Sequence, residues 1–183
     1  MSVDAEEAVP RPLIRLADLD GPDAIEVGAA VRAYLRQTEF EKMRHVQGAA
    51  PDPAAPLPDR YLREVDDPAG AYAGCRVLLA ELDGRVIGVV VHSEREGVAE
   101  VKRLWAAPEA RGRGVGSALL DAALRDAAAL GVAEVRLSVW DWRDGAVRLY
   151  ESRGFERVPS WDDRERLVCM VHRPRPTSSS QAG

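Results

Sequence analysis

Apolar positions recur along this chain with two different periods. Short apolar or alternating runs predict strands at "LIRLA" (13–17), "CRVLLAEL" (75–82), "RVIGVVVHS" (85–93), "VAEVKRLWA" (98–106) and "VAEVRLSVW" (132–140). Asp83-Gly84, between the second and third runs, predicts a tight hairpin. Near-helical spacing predicts a helix over 23–35 that carries Ile25, Val27, Val31, Tyr34 and Leu35, with Asp23 as its cap. A second helix, over 114–130, sets Val115, Leu119, Ala123, Leu124 and Ala127 on one stripe and stops at Gly131. A short helix over 144–153 ends at Gly154, and "GFERVPS" with "ERLVCMVHR" predicts a closing antiparallel pair. "GAAPDPAAPLPDR" (48–60), with four prolines, reads as a loop. The order is a hairpin, then strand–helix–strand–helix, then more strands. It predicts an α/β fold, a mixed sheet with helices packed on it.

Size and charge narrow the function classes. The chain has 183 residues, enough for one ordinary domain, expected over 12–173 with tails at 1–11 and 174–183. A formal net charge of −5 argues against a general nucleic-acid surface and suits a cationic or neutral substrate. No apolar run approaches the roughly 18–20 residues of a membrane span. The first residues lack the pattern of a secretion signal. Cys75 and Cys169 give neither a disulfide framework nor metal-ligand spacing, so a cytoplasmic location is expected. His45, His92 and His172 are scattered and give no metal or triad signature.

The strongest chemical signal is "RGRGVGS" (111–117), directly ahead of the second helix. The first N–H groups of a helix have no internal partner, and the helix dipole adds positive charge there. Glycines at 112, 114 and 116 would let phosphate oxygens approach that backbone, with Arg111 and Arg113 as charged donors. The P-loop pattern fails, because no Lys followed by Ser or Thr closes the motif. The dinucleotide pattern fails as well, because Leu119 stands at its third glycine.

Arg111-x-x-Gly114-x-Gly116 resembles the acyl-coenzyme A pyrophosphate motif of the GNAT N-acetyltransferases. "AVRLYESRGFERV" (146–158) is similar to a late segment of that family, and "EVKRLWAAPEARGRGVG" (100–116) to its central strand and loop. The resemblance implies a mostly antiparallel sheet of about six to seven strands, with a central splayed parallel pair formed by 98–106 and 132–140. It implies acetyl-coenzyme A as cosubstrate and no metal. Backbone groups of Leu104, Trp105 and Ala106 would then pair with the pantetheine arm. Arg111, Gly112, Arg113, Gly114, Val115, Gly116 and Ser117 would hold the pyrophosphate.

The implied reaction moves an acetyl group from a thioester to a primary amine. Glu100 stands eleven residues before Arg111, where GNAT histone acetyltransferases place a general base. The alternative is an ion pair with Lys102, its same-face neighbour on the strand. Strict alternation puts Glu100, Lys102 and Leu104 on one face and Val101, Arg103 and Trp105 on the other. Tyr150 matches the family tyrosine that protonates the departing thiolate. Arg143 occupies a position where the family often has asparagine, and either reaches a phosphate or leaves that contact unmade. Tyr34, Tyr61, Tyr72, Trp142 and Trp161 are candidates to line the acceptor site. "SWDDRER" (160–166) is an acidic segment able to meet a cationic amine. The acceptor is expected to be a small-molecule or protein amine, and the resemblance, with a late strand at 166–173 able to pair across chains, allows a homodimer. Two other readings stay open: a non-catalytic acyl-coenzyme A-binding module of the same fold, and a nucleotide-binding domain.

Overall fold

A computed structural model describes residues 10–50 and 52–174. Its strands are β1 (Leu13–Leu16), β2 (Cys75–Leu82), β3 (Arg85–Arg95), β4 (Val98–Ala106), β5 (Glu134–Trp140), β6 (Glu156–Val158) and β7 (Leu167–His172). Its helices are α1 (Asp23–His45), α2 (Leu62–Asp66), α3 (Pro68–Ala71), α4 (Val115–Ala129) and α5 (Asp144–Ser152). One seven-stranded sheet runs β1-β2-β3-β4-β5-β7-β6. Every neighbouring pair is antiparallel except β4 with β5. The mixed sheet with a central parallel pair is therefore present. Most of both expected tails lies outside the described residues.

The hairpin forms where expected, because Asp83 and Gly84 both take positive φ (50° and 72°), as a two-residue turn between twisted strands requires. Alternation along β3 then sorts the core into two. Val90 packs with Leu119, Leu120, Ala123 and Ala127 of α4 on one face. Val89 and Val91 pack with Val27, Val31 and Leu35 of α1 on the other. Fully burying a side chain of this size stabilises the fold by about 1.5–3 kcal/mol. Gly88 is fixed by packing: a Cβ there would stand 2.9 Å from the Trp105 carbonyl oxygen, from Leu119 and from Val115.

Several local expectations are corrected. Asp23 is the first helical residue, not the cap, and its carboxylate accepts Arg15 (2.6 and 2.9 Å) and the Asp18 N–H (2.8 Å). That pairing fastens the start of α1 to the outer strand. Ile25 is 79% exposed. Leu120, not Leu124, is the fully buried leucine beside Leu119. Helix α1 continues ten residues past Leu35, and α2 and α3 fall in a region with no periodic signal.

Strand β4 also breaks the strict alternation. Val89 faces Trp105 and Val91 faces Lys102, so Arg103 and Leu104 together oppose Val90 in a β-bulge. Arg103 takes φ +58° there, a left-handed conformation that side chains rarely adopt. One extra residue resets the faces. Ala99 and Val101 pack with the α4 core before the bulge, and Leu104 and Ala106 pack with it after. Arg103 instead reaches Glu64 of α2, and Trp105 also packs into the α1 core.

Leu119→Ala is expected to cost about 2–5 kcal/mol of unfolding free energy, because the cavity would sit between α4 and rigid strands. The measurement is a urea midpoint shift at unchanged slope. Gly88→Ala should cost about 1–3 kcal/mol through overpacking.

Candidate functional site

Strands β4 and β5 pair for three positions, Val98–Glu100 with Glu134–Arg136, and then part. A cleft of about 860 Å³ opens at the parting. Its walls include Glu100 to Ala106 of β4, Leu137 to Trp140 of β5, Tyr34 to His45 of α1, and the start of α5 through Tyr150. Beyond Glu100, β4 pairs with β3 alone among the described residues. The side of Val101–Ala106 that faces β5 thus has main-chain groups without a strand partner. An extended ligand can satisfy them as an added strand would. Trp105 also contributes a buried indole N–H with no acceptor among the described residues.

At the far end of β4 the glycine turn enters α4. Gly112 and Gly114 have φ +75° and +73°, so the backbone itself demands glycine at both. A Cβ at either would meet nothing within 4 Å, so the space above the turn is open. Gly116 is different: it is helical, and a Cβ there would make an ordinary 3.7 Å contact with Leu149. Gly114 is the N-cap and has no side chain to cap with, which leaves the N–H groups of Val115, Gly116 and Ser117 without helical acceptors. Val115 sends its side chain into the core and offers the site only its backbone. Arg113 is exposed, and Arg111 lines the cleft and donates to Gln37 Oε1 (2.7 Å).

The α1 wall is a polar stripe that the sequence reading stopped short of. Tyr34, Thr38, Glu41 and His45 recur at helical spacing and all line the cleft. Glu41 accepts Arg143 Nε (2.7 Å), Trp142 Nε1 (3.0 Å) and Gln37 Nε2 on its other oxygen (2.7 Å). Arg143 also donates to Thr38 Oγ1 (2.9 Å) and lies over the Tyr34 ring. Its charge is already met here, by Glu41. Trp142 stacks between His45 and Trp140, with centroids 4.9 and 4.8 Å away. Across the cleft, Arg103 is held by both oxygens of Glu64 at 2.7 Å, and Glu64 also accepts the Tyr72 hydroxyl at 2.7 Å. Burial alone would raise the Glu64 carboxyl, but the bonds from Arg103 and Tyr72 outweigh it and hold the group below its ordinary value.

Both expected catalytic side chains reach the cleft. Glu100 stands at the last paired position of β4, exposed, and among the described residues it makes no ion pair with Lys102. Arg136, its neighbour across the pair, turns instead to Glu134 and to the Trp161 ring. Tyr150 is buried on α5 against Phe155. Burial pushes its phenol well above 10, Tyr34 adds to the rise, and Arg143 opposes it.

Of the aromatic candidates, Tyr34, Tyr61 and Trp142 line the cleft. Tyr72 is buried behind Arg103, and Trp161 sits 47% exposed near Arg136. The 160–166 segment presents Arg164 to the cleft, a cation held by Asp162, and not an acidic face. Glu41, Glu64 and Gln37 were missed. The signal for Glu41 was the continued helical spacing after Tyr34; Glu64 lies in a five-residue helix with no periodic signal. Among the described residues no group of three or more His, Cys, Asp or Glu is placed to hold a metal ion, and no helix is long and apolar enough to cross a membrane.

A model of the acetyltransferase (GNAT) family matches residues 35–155. Mycothiol acetyltransferase of Stackebrandtia nassauensis is 33% identical over 78% of this chain and 49% of its own length. That of Streptomyces avermitilis is 35% identical over 79% and 48%. The chain thus spans about half the length of the curated relatives it matches. Among solved structures, PaiA N-acetyltransferase of Thermoplasma acidophilum, in complex with coenzyme A, superposes with a TM-score of 0.64 at 17% identity, over 89% of this chain and 99% of that one. A GNAT-family acetyltransferase of Staphylococcus aureus gives 0.66 at 12%, over 88% and 98%.

The Glu64 pairing gives a signed pH dependence. A carboxyl held below its unfolded value contributes stability above that value and loses it as pH falls through the folded one. Glu64→Gln should therefore cost about 1–3 kcal/mol at neutral pH. It should also lose less than the parent protein between about pH 5 and pH 3, as read by urea melts across that range.

Proposed function

The chain belongs to the GNAT acetyltransferase family, and from that premise we propose that it transfers an acetyl group from acetyl-coenzyme A to a primary amine. The observation that carries the proposal is the parting of β4 and β5 beside an uncapped, glycine-entered helix start. Those two features suit the two ends of one ligand: an amide-bearing arm for the open strand edge, and a diphosphate for the helix amides. Backbone groups of Leu104, Trp105 and Ala106 take the arm. The 111–117 backbone, with Arg111 and Arg113, takes the diphosphate, and for Arg111 this means exchanging Gln37 for phosphate oxygen. Arg143 borders the arm with its charge balanced by Glu41.

Glu100 is assigned as the base that takes a proton from the incoming ammonium, directly or through one water. The freed nitrogen forms the new C–N bond as the C–S bond breaks. Tyr150 then gives its proton to the departing sulfur. Burial keeps that proton on the phenol until a strong base appears beside it, and the same apolar surroundings raise the proton affinity of the sulfur. The names of the curated relatives favour a small-molecule acceptor.

Tyr150→Phe is expected to bind acetyl-coenzyme A like the parent protein by calorimetry, while thiol release slows by about 10²-fold or more. Unchanged turnover would remove Tyr150 from the mechanism. Coenzyme binding without thiol release, across polyamines, aminoglycosides, amino acids, lysine peptides and unacetylated mycothiol, would favour a non-catalytic binding module.

A further inference from the structure

We infer that the acceptor is a small amino acid-like zwitterion, whose ammonium faces Glu100 while its carboxylate is met by Lys102. The inference rests on the acetyl-transfer reading above and specifies its second substrate.

The argument starts from which charges in the cleft are already spent. Arg103 is held by Glu64, Arg143 by Glu41 and Arg164 by Asp162. Two side chains at the parting of the strands are left over. Among the described residues, neither Glu100 nor Lys102 has an ion-pair partner, although both line the cleft and stand two residues apart on β4. Glu64, already bound by Arg103 through both oxygens, acts on Lys102 only through space. Arg136 is drawn away from Glu100 by Glu134. Asp144, the remaining carboxylate of the lining, sits in the first turn of α5, where the helix start favours a negative charge. Arg111 belongs to the glycine turn.

Glu100 and Lys102 share a face because the bulge comes one residue later, at Arg103. Two residues of strand separate their Cα atoms by about 6.6 Å. That spacing places one positive and one negative side chain around a ligand whose own charges lie a few ångströms apart, in the opposite order. A polyamine meets this pair badly: its second cation would face Lys102 among the arginines of the same lining. An amine without a carboxylate would leave Lys102 unanswered. A neighbouring pair of side chains with one unspent charge of each sign is complementary to a ligand with one of each sign. The carboxylate takes no part in bond making. It orients the amine beside Glu100, so Lys102 acts as a specificity-determining residue.

The test is steady-state thiol release with the twenty L-amino acids, their amides and the matching decarboxylated amines, together with calorimetry of coenzyme binding. At least one free amino acid should be used with a KM ten-fold or more below that of its amide. Lys102→Met should raise the KM for that amino acid about 10- to 100-fold with little change in kcat. The same variant should leave the amide and coenzyme binding unaffected, and Lys102→Arg should restore the preference. Equal use of acid and amide, equal loss for both in Lys102→Met, or turnover confined to amines without a carboxylate would overturn the inference while leaving acetyl transfer standing. Thiol release from no acceptor at all, with coenzyme still bound, would overturn the transfer reading and this inference with it.

Discussion

A polar main chain inside a sheet has to be paired, and at the centre of this one it is left half paired. The parallel strands β4 and β5 share register for three residues and then separate, although both continue as strands. Main-chain donors and acceptors that face a gap are left to water until something extended fills it. The fold tolerates the gap because the two cores lie on the faces of the sheet, under α1 and α4, and not in the plane where the strands part. Apolar packing carries the stability, and the plane of the sheet is left available to a ligand.

Around that gap the protein disposes of its charges pairwise. Three arginines that border the cleft are each tied to a carboxylate from another segment or the same turn, so the walls are rich in guanidinium yet nearly balanced. The two pairs that are largely buried, Arg103–Glu64 and Arg143–Glu41, define geometry more than they add stability. Glu41 shows this well: it fixes Arg143 and Trp142, and through Trp142 the stacked rings of His45 and Trp140. Tyr150 sits within that frame under a different constraint, burial, which keeps its proton in place.

The strands, the hairpin and the glycine turn were legible in the sequence because each has a local cause. Alternation, a pair of residues suited to positive φ, and a run of glycines before an apolar stripe all act within a few positions. The course of β4 was not legible. A bulge depends on how Val90 of β3 meets its partner strand, and nothing in "VKRLWA" announces that Arg103 will take a left-handed conformation. The commitments of Glu64, Glu41 and Arg143 were hidden for the same reason, since their partners lie 39 and 102 residues away. Arg143 was visible as a departure from the family pattern, but its partner on α1 was not.

The bulge also bears on how this protein can change over evolutionary time. Substitution along β4 trades one side chain for another at a fixed address. Insertion or deletion of a single residue near Arg103 would exchange the two faces of everything downstream, taking Leu104 and Ala106 off the α4 core and turning them to the α1 side of the sheet. Drift in this strand is therefore confined to identity and closed to length. Change of substrate is thus open to new side chains on the walls of the groove and closed to a new register in the strand that forms it.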